Sequence, residues 1–98
     1  MTPLTKTTYR NSTRIVCDLL TITQCTDRNG IAVTSLCQKS NLSHGRLQNF
    51  LSTLTGSGLI NQIRFDGRNT FVITEKGNLF LEEYKKFHDF AEAYGLEI

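Results

Sequence analysis

Apolar residues recur along this chain at two different spacings, and each predicts a different kind of element. Ile15, Val16, Leu19, Leu20 and Ile22 recur at helical spacing. Asn11 or Ser12 can cap the start of that helix, and Asp27-Arg28-Asn29-Gly30 ends it, Asn-Gly being a strong turn signal. Ile31 and Ala32 can form a short strand. A second helix is predicted from Val33 to about Ser40, with Val33, Leu36 and Cys37 inward. The polar turn Asn41-Leu42-Ser43 separates it from a third helix, His44 to Thr55, with Ser43 as N-cap. There Leu47, Phe50, Leu51 and Leu54 fall at i, i+3, i+4 and i+7, one stripe facing a core. Gly56-Ser57-Gly58 stops it, because glycine tolerates the left-handed cap conformation.

Strand-like runs follow from Leu59 to Phe65 and from Thr70 to Ile73, and the four residues Asp66-Gly67-Arg68-Asn69 are expected to form a hairpin tip. Thr74 can cap a last helix, with Glu75 favourable beside its positive end. That helix continues to about Ala93 and is ended by Gly95. Helix, turn, helix, hairpin and a further helix is the order of an α+β winged helix-turn-helix: a three-helix core, a wing sheet of two or three strands and an additional C-terminal helix. Such a unit offers one helix sized for a DNA major groove and a loop that reaches the adjacent backbone. Residues 1–9, threonine-rich with Pro3, read as a flexible or extended tail. Residues 10–74 read as the winged-helix domain, and 75–98 as a C-terminal dimerisation element.

Composition narrows the class. Ninety-eight residues with 39% hydrophobic content suit one small soluble domain. The unbroken apolar runs are only two or three residues long, whereas a membrane span needs about 20. Met1 to Thr8 has no apolar core of the kind a secretory signal carries. These features predict a cytoplasmic, nucleoid-associated protein with no membrane partner. The net charge of +2 hides an asymmetry: up to Thr74 eight basic residues face three acids, a balance of +5, and from Glu75 onward three lysines face six acids, a balance of −3. The basic part coincides with the helix-turn-helix and the wing, which suits a phosphate-bearing partner. The acidic helix would point away from it.

The third helix carries the candidate chemistry. At about 100° per residue its outward face holds Gly45, Asn49, Ser52 and Thr53, flanked by Gln48 and Arg46, with no acid. Asn and Gln pair with adenine and Arg with guanine through two hydrogen bonds each. Gly45 lets the first turn approach closely, and His44 can donate to a phosphate there. In the wing, Arg64, Arg68 and Asn69 can reach a phosphate or a narrow minor groove. Arg10, Arg14 and Lys39 are further phosphate candidates. On the last helix Phe80, Tyr84, Phe87, Ala91 and Tyr94 follow a 4-3-4-3 spacing, and its apolar residues cover more than one stripe, which predicts a homodimer formed by this helix.

Catalysis finds no support. Gly56-Ser57-Gly58 lacks the lysine of a phosphate-binding loop, and no serine, histidine and acid fall in a recognisable order, so a non-enzyme without a cofactor is expected. Cys17, Cys25 and Cys37 have no C-x-x-C spacing, and neither His44 nor His88 has ligand spacing to a cysteine, so no metal site is expected and no small-molecule ligand is indicated. A thiol- or metal-responsive regulator built on the cysteines stands as one alternative. A winged helix turned protein-interaction module is another, and an abundant sequence-nonspecific chromatin protein a third.

Three stretches carry a resemblance: Leu42-Ser43-His44-Gly45-Arg46-Leu47, then Leu54-Thr55-Gly56-Ser57-Gly58-Leu59-Ile60, and Phe71-Val72-Ile73-Thr74-Glu75-Lys76-Gly77 followed by Phe80-Leu81. With them the chain from about Tyr9 to Tyr94 resembles the archaeal winged-helix DNA-binding proteins and transcriptional regulators that carry a C-terminal dimerisation helix. The resemblance implies a homodimer joined through the last helix, with the third helix and the wing on double-stranded DNA. By position it implies contacts from Ser43, His44, Arg46, Gln48 and Asn49 of the third helix and from Arg64 and Arg68 of the wing. Because the final helix stops near Ala93, a compact helix-pair dimer is expected rather than an extended coiled coil.

Overall fold

Asn11 caps the first helix: its side-chain oxygen accepts from the Arg14 backbone N–H at 2.8 Å, satisfying one of the free amides of the opening turn. The computed structural model describes residues 11–96, so the N-terminal tail and Arg10 lie outside the described residues. Seven elements follow in order: α1 (Ser12–Gln24), β1 (Ile31–Ala32), α2 (Val33–Ser40), α3 (His44–Gly56), β2 (Ile60–Phe65), β3 (Arg68–Ile73) and α4 (Glu75–Ala93). Helix α1 ends at Gln24, before the Asp27–Gly30 turn, where the bonding tightens: the Cys25 N–H is shared between the Thr21 and Ile22 carbonyls, and the Thr26 N–H goes to the Thr23 carbonyl at 3.2 Å.

Each helix contributes one apolar stripe to a single core. Ile15, Leu19 and Leu20 come from α1, Leu36 from α2, Leu47, Leu51 and Leu54 from α3, and Leu81 from α4, closed by Ile60 and Phe71 of the sheet. Burying a leucine or isoleucine side chain contributes about 1.5–3 kcal/mol, so this set supplies most of the drive against chain entropy. Phe50 lies at the rim of the stripe and is half-buried, as are Val33 and Cys37. The turn between α2 and α3 is set by Asn41, left-handed at φ 61°, whose N–H caps the Cys37 carbonyl at 3.0 Å. Asparagine is one of the few residues that adopts this conformation readily. Leu42 then enters the core, and the Ser43 hydroxyl accepts from the Arg46 N–H at 3.3 Å to start α3.

The sheet is antiparallel with strand order β1-β3-β2. Its register pairs Ile60 with Ile73, Gln62 with Phe71, Arg64 with Asn69 and Phe65 with Arg68. The expected four-residue tip is corrected by that register. Only Asp66 and Gly67 turn, at φ 55° and 76°, and Arg68 and Asn69 belong to β3. Two consecutive left-handed residues match the twist of the flanking strands, so the ladder closes two residues further out than a four-residue loop would allow. Thr70, a buried polar residue, is satisfied by donating to the Asn29 carbonyl at 2.7 Å.

Helix α4 is fastened to the start of β2. The Thr74 hydroxyl donates to the Gly58 carbonyl at 2.6 Å and its oxygen accepts from the Gly77 N–H at 3.0 Å, so one side chain caps the helix and docks it. Gly77, Leu81, Tyr84 and Ala91 face inward, and no helix among the described residues is long and apolar enough to cross a membrane.

Candidate nucleic-acid interface

The stripe Leu47, Leu51 and Leu54 holds α3 against the core and turns its opposite side outward. Gly45, Arg46, Gln48, Asn49, Ser52 and Thr53 are all exposed there, as are Ser43 and His44 at the helix start. A Cβ at Gly45 would meet nothing within 4 Å, so the first turn is open to close approach. The helix carries no acid. His44 Nε2 lies 3.5 Å from the Gln48 amide nitrogen, one turn along the same face. The Arg46 guanidinium sits over the Phe50 ring, 5.8 Å from its centroid, within cation–π distance. The Ser43 oxygen is used as cap acceptor, which leaves its hydroxyl hydrogen free to donate.

Alternation along the hairpin decides where the wing residues look. Ile60, Gln62 and Arg64 share one face with their partners Ile73, Phe71 and Asn69; Asn61, Ile63 and Phe65 share the other with Val72, Thr70 and Arg68. Gln62 and Phe71 line a cleft of about 440 Å³ whose other wall is Gln48, Leu51, Ser52, Thr55 and Gly56 of α3. Arg64 and Asn69 therefore extend the face that looks toward α3, and Arg68 lies on the reverse. Arg64 Nη2 donates to the Gly67 carbonyl at 3.4 Å. Among the described residues none of Arg46, Arg64 and Arg68 pairs with a carboxylate; the pair Lys86–Glu83 and the contacts of His88 with Asp89 and Glu92 are all on α4.

Sequence reasoning missed Gln62 as a wall of this cleft, because its inward or outward sense depends on register. It also missed Phe65, which stands exposed at the tip; its position directly before Asp-Gly was the available signal. Lys39 is exposed on α2, whereas Arg14 lines a groove between α1 and α4 with Tyr84, Lys85 and His88.

The five residues expected to join two copies fall on two stripes of α4. Tyr84 and Ala91 turn inward with Leu81, and the Tyr84 hydroxyl is buried without a hydrogen-bond partner among the described residues. Phe80, Phe87 and Tyr94 are exposed, together with Leu79 and Phe90. At about 100° per residue the two stripes are centred roughly a quarter-turn apart. The rings of Phe90 and Tyr94 meet edge to face at 5.0 Å. His88, Asp89 and Glu92 come together on the same helix, with one donor atom of each within 4.8 Å of the others; Asp89 approaches the imidazole at Nδ1 and Glu92 at Nε2, and both carboxylates are exposed.

The cysteines are free. Cys17 is buried, and burial, aided by the nearby Asp18 carboxylate, pushes its thiol up to about 11. It is a protonated, poorly nucleophilic thiol at neutral pH.

This arrangement matches known proteins. Sso10a-2, a DNA-binding protein from Sulfolobus solfataricus, superposes with a TM-score of 0.71 at 24% identity, over 87% of this chain and 85% of that one. SSV1 F-93 superposes with a TM-score of 0.61 at 23% identity, over 92% of this chain and 99% of that one. The transcriptional regulator PA3341 gives 0.61 at 18% identity, over 83% of this chain and 61% of that one. At such identities the likeness is one of fold. Among curated proteins no sequence matches. A family model for the winged helix-turn-helix matches residues 9–92, nearly the whole described chain, and the chain belongs to that family.

Proposed function

We propose that this protein binds double-stranded DNA as a homodimer and regulates transcription, working at the nucleoid in the cytoplasm. Helix α3 enters the major groove, where Arg46, Gln48 and Asn49 read base edges. Ser43 and His44 hold phosphates at the helix start. The wing lies alongside, with Arg64 and Asn69 nearer α3 and Arg68 beyond. Phosphate contacts set position and affinity, and base contacts set sequence.

The observation that carries this reading is the acid-free, fully exposed outer face of α3, beside wing arginines that no carboxylate among the described residues neutralises. A domain stabilised only for itself has no need to leave Arg46, Arg64 and Arg68 without acidic partners among the described residues while placing six of its nine acids from Glu75 onward. That the fold is shared with a DNA-binding protein and a transcriptional regulator supports the same reading. The dimer is supported by the outer stripe of α4, where Phe80, Phe87, Phe90 and Tyr94 would otherwise stand in water.

A titration of duplex DNA against salt tests the proposal. Several phosphate contacts make the affinity fall steeply between about 50 and 200 mM salt. A weak, salt-independent response would favour a protein-interaction module. Selection of bound sequences from random DNA then distinguishes a regulator, which enriches a motif, from a sequence-nonspecific chromatin protein, which does not.

A further inference from the structure

We infer that Phe65 is an apolar contact between the wing and the sugar walls of the DNA minor groove; this rests on the DNA-binding reading above. Phe65 is 45% exposed, although the other apolar residues of its strand, Ile60 and Ile63, are buried or half-buried. The core ends at Thr70 and Phe71, and the ladder runs on two residue pairs further, carrying Phe65 beyond it. The left-handed pair Asp66-Gly67 closes the hairpin tightly, and a Cβ at Gly67 would meet nothing within 4 Å, so the tip stands clear of the rest of the protein.

One cation shares the ring's face: Arg68 is its direct cross-strand partner, while Arg64 precedes it in the strand and turns to the opposite face. Neither pairs with a carboxylate among the described residues. A large apolar side chain paired with an arginine at a protruding tip is a combination that minor-groove binders use, arginine for the narrow negative groove and an apolar wedge at the base steps. A contact to phosphates alone would leave the ring in water. A protein partner would need a wider apolar patch, and among the described residues the other large exposed apolar ones lie on α4 or just after it, none on the hairpin. Asp66 is the hairpin's one carboxylate. Its charge disfavours laying the turn itself on a phosphate, which leaves the side chains just behind it as the contacting ones.

The test uses the full chain and two short duplexes, one of G·C pairs and one of I·C pairs. The two present the same major-groove edges, but I·C lacks the guanine 2-amino group in the minor groove. Anisotropy titrations should show the wild type favouring I·C. Phe65→Ser should lower I·C affinity about five- to tenfold and remove the preference, whereas Phe65→Leu should keep it. The slope of log affinity against log salt should stay that of the wild type, because no phosphate contact is lost. Phe65→Ser binding both duplexes within about twofold of wild type, while Arg46→Ala binds more weakly, would overturn the wedge and leave DNA binding standing. Failure of the wild type to bind either duplex would overturn both.

Discussion

The backbone of Gly77, in the first turn of α4, lies directly against the carbonyl oxygen of Leu59. A methyl group at Gly77 would overlap that oxygen and come within 2.7 Å of Ile73 Cγ1. The neighbouring Thr74 hydroxyl ties the same turn to the Gly58 carbonyl. The short run Thr74-Glu75-Lys76-Gly77 is thus a docking device that sets how closely α4 approaches the wing's base. Alanine is the better helix former by about 1 kcal/mol, yet Gly77→Ala should destabilise the domain by about 1–3 kcal/mol, because backbone cannot yield as a side-chain tip can. Thermal denaturation should show the midpoint falling by roughly 4–8 °C per kcal/mol. An unchanged or higher midpoint would mean the helix is not docked this closely.

That contact also shows which parts of the molecule could be read from residue order. Helices α1, α3 and α4 were legible because each places apolar residues at helical spacing behind a capping side chain, as in Ser43 with Leu47, Leu51 and Leu54, whereas α2 has no side-chain cap and was legible from Val33, Leu36 and Cys37 alone. The wing turn was misread because Arg68 and Asn69 are polar and loop-like, whereas Asp66 and Gly67 alone supply both left-handed positions. The outer face of α3 could be read from its wheel. The faces of Arg64 and Arg68 could not, since a shift of one residue in strand pairing exchanges them. On α4 the heptad-like spacing joined residues of two stripes; the small Gly77, admitted under Leu59, decides which stripe turns inward.

The α3 face makes distinct predictions from the wing. Arg46→Ala and Asn49→Ala should each weaken a preferred site by about 1–3 kcal/mol and relax specificity at one position. Arg68→Ala should weaken all sequences about equally and reduce the salt slope by about one. Binding of variants to a selected sequence and a scrambled one separates the two patterns. A selected-site footprint that survives all three changes would mean that another face of the protein meets the DNA.

Asp66 sits at a left-handed position where asparagine is at least as well suited, since Asn-Gly is a strong signal for this turn. Asp66→Asn should therefore keep the hairpin while removing its only negative charge. If the wing lies near phosphates, DNA affinity should rise at low salt, and the gain should shrink as salt screens it. Equal affinity for the two proteins at low salt would place the tip away from the backbone.

Burial of Cys17 makes its thiol a reporter of the folded state. Its folded value of about 11 lies above the ordinary thiol value of 9.0, so the unfolded chain loses that proton first. The associated stability is fully present below about pH 9 and is lost as pH rises toward 11. Denaturant midpoints should fall across that interval, and Cys17→Ala should flatten the fall. In the native protein a thiol reagent at neutral pH should modify exposed Cys25 first and reach Cys17 only on unfolding. Rapid native labelling of Cys17 would revive a thiol-responsive role.

The outer stripe of α4 is aromatic and exposed. Phe87, Phe90 and Tyr94 are 56%, 61% and 69% exposed, on a helix whose inner stripe is already used by its own chain. Leaving several aromatic side chains in water on one face forgoes about 1.5–3 kcal/mol for each that a second copy could bury. Single exposed apolar residues need no explanation, but a row of them along one helix does. Phe87→Ser with Phe90→Ser should convert a dimer to a monomer in sedimentation without lowering the monomer's own stability, since neither ring belongs to the core. Leu81→Ala should do the reverse, costing about 2–5 kcal/mol of folding stability through the buried stripe. DNA affinity of the double serine variant should also fall, because each copy would then hold its half-site alone and lose the gain of linked binding. A wild-type protein that sediments as a monomer at all concentrations would remove the dimer, and with it the paired half-sites about one helical turn apart that two-fold symmetry implies.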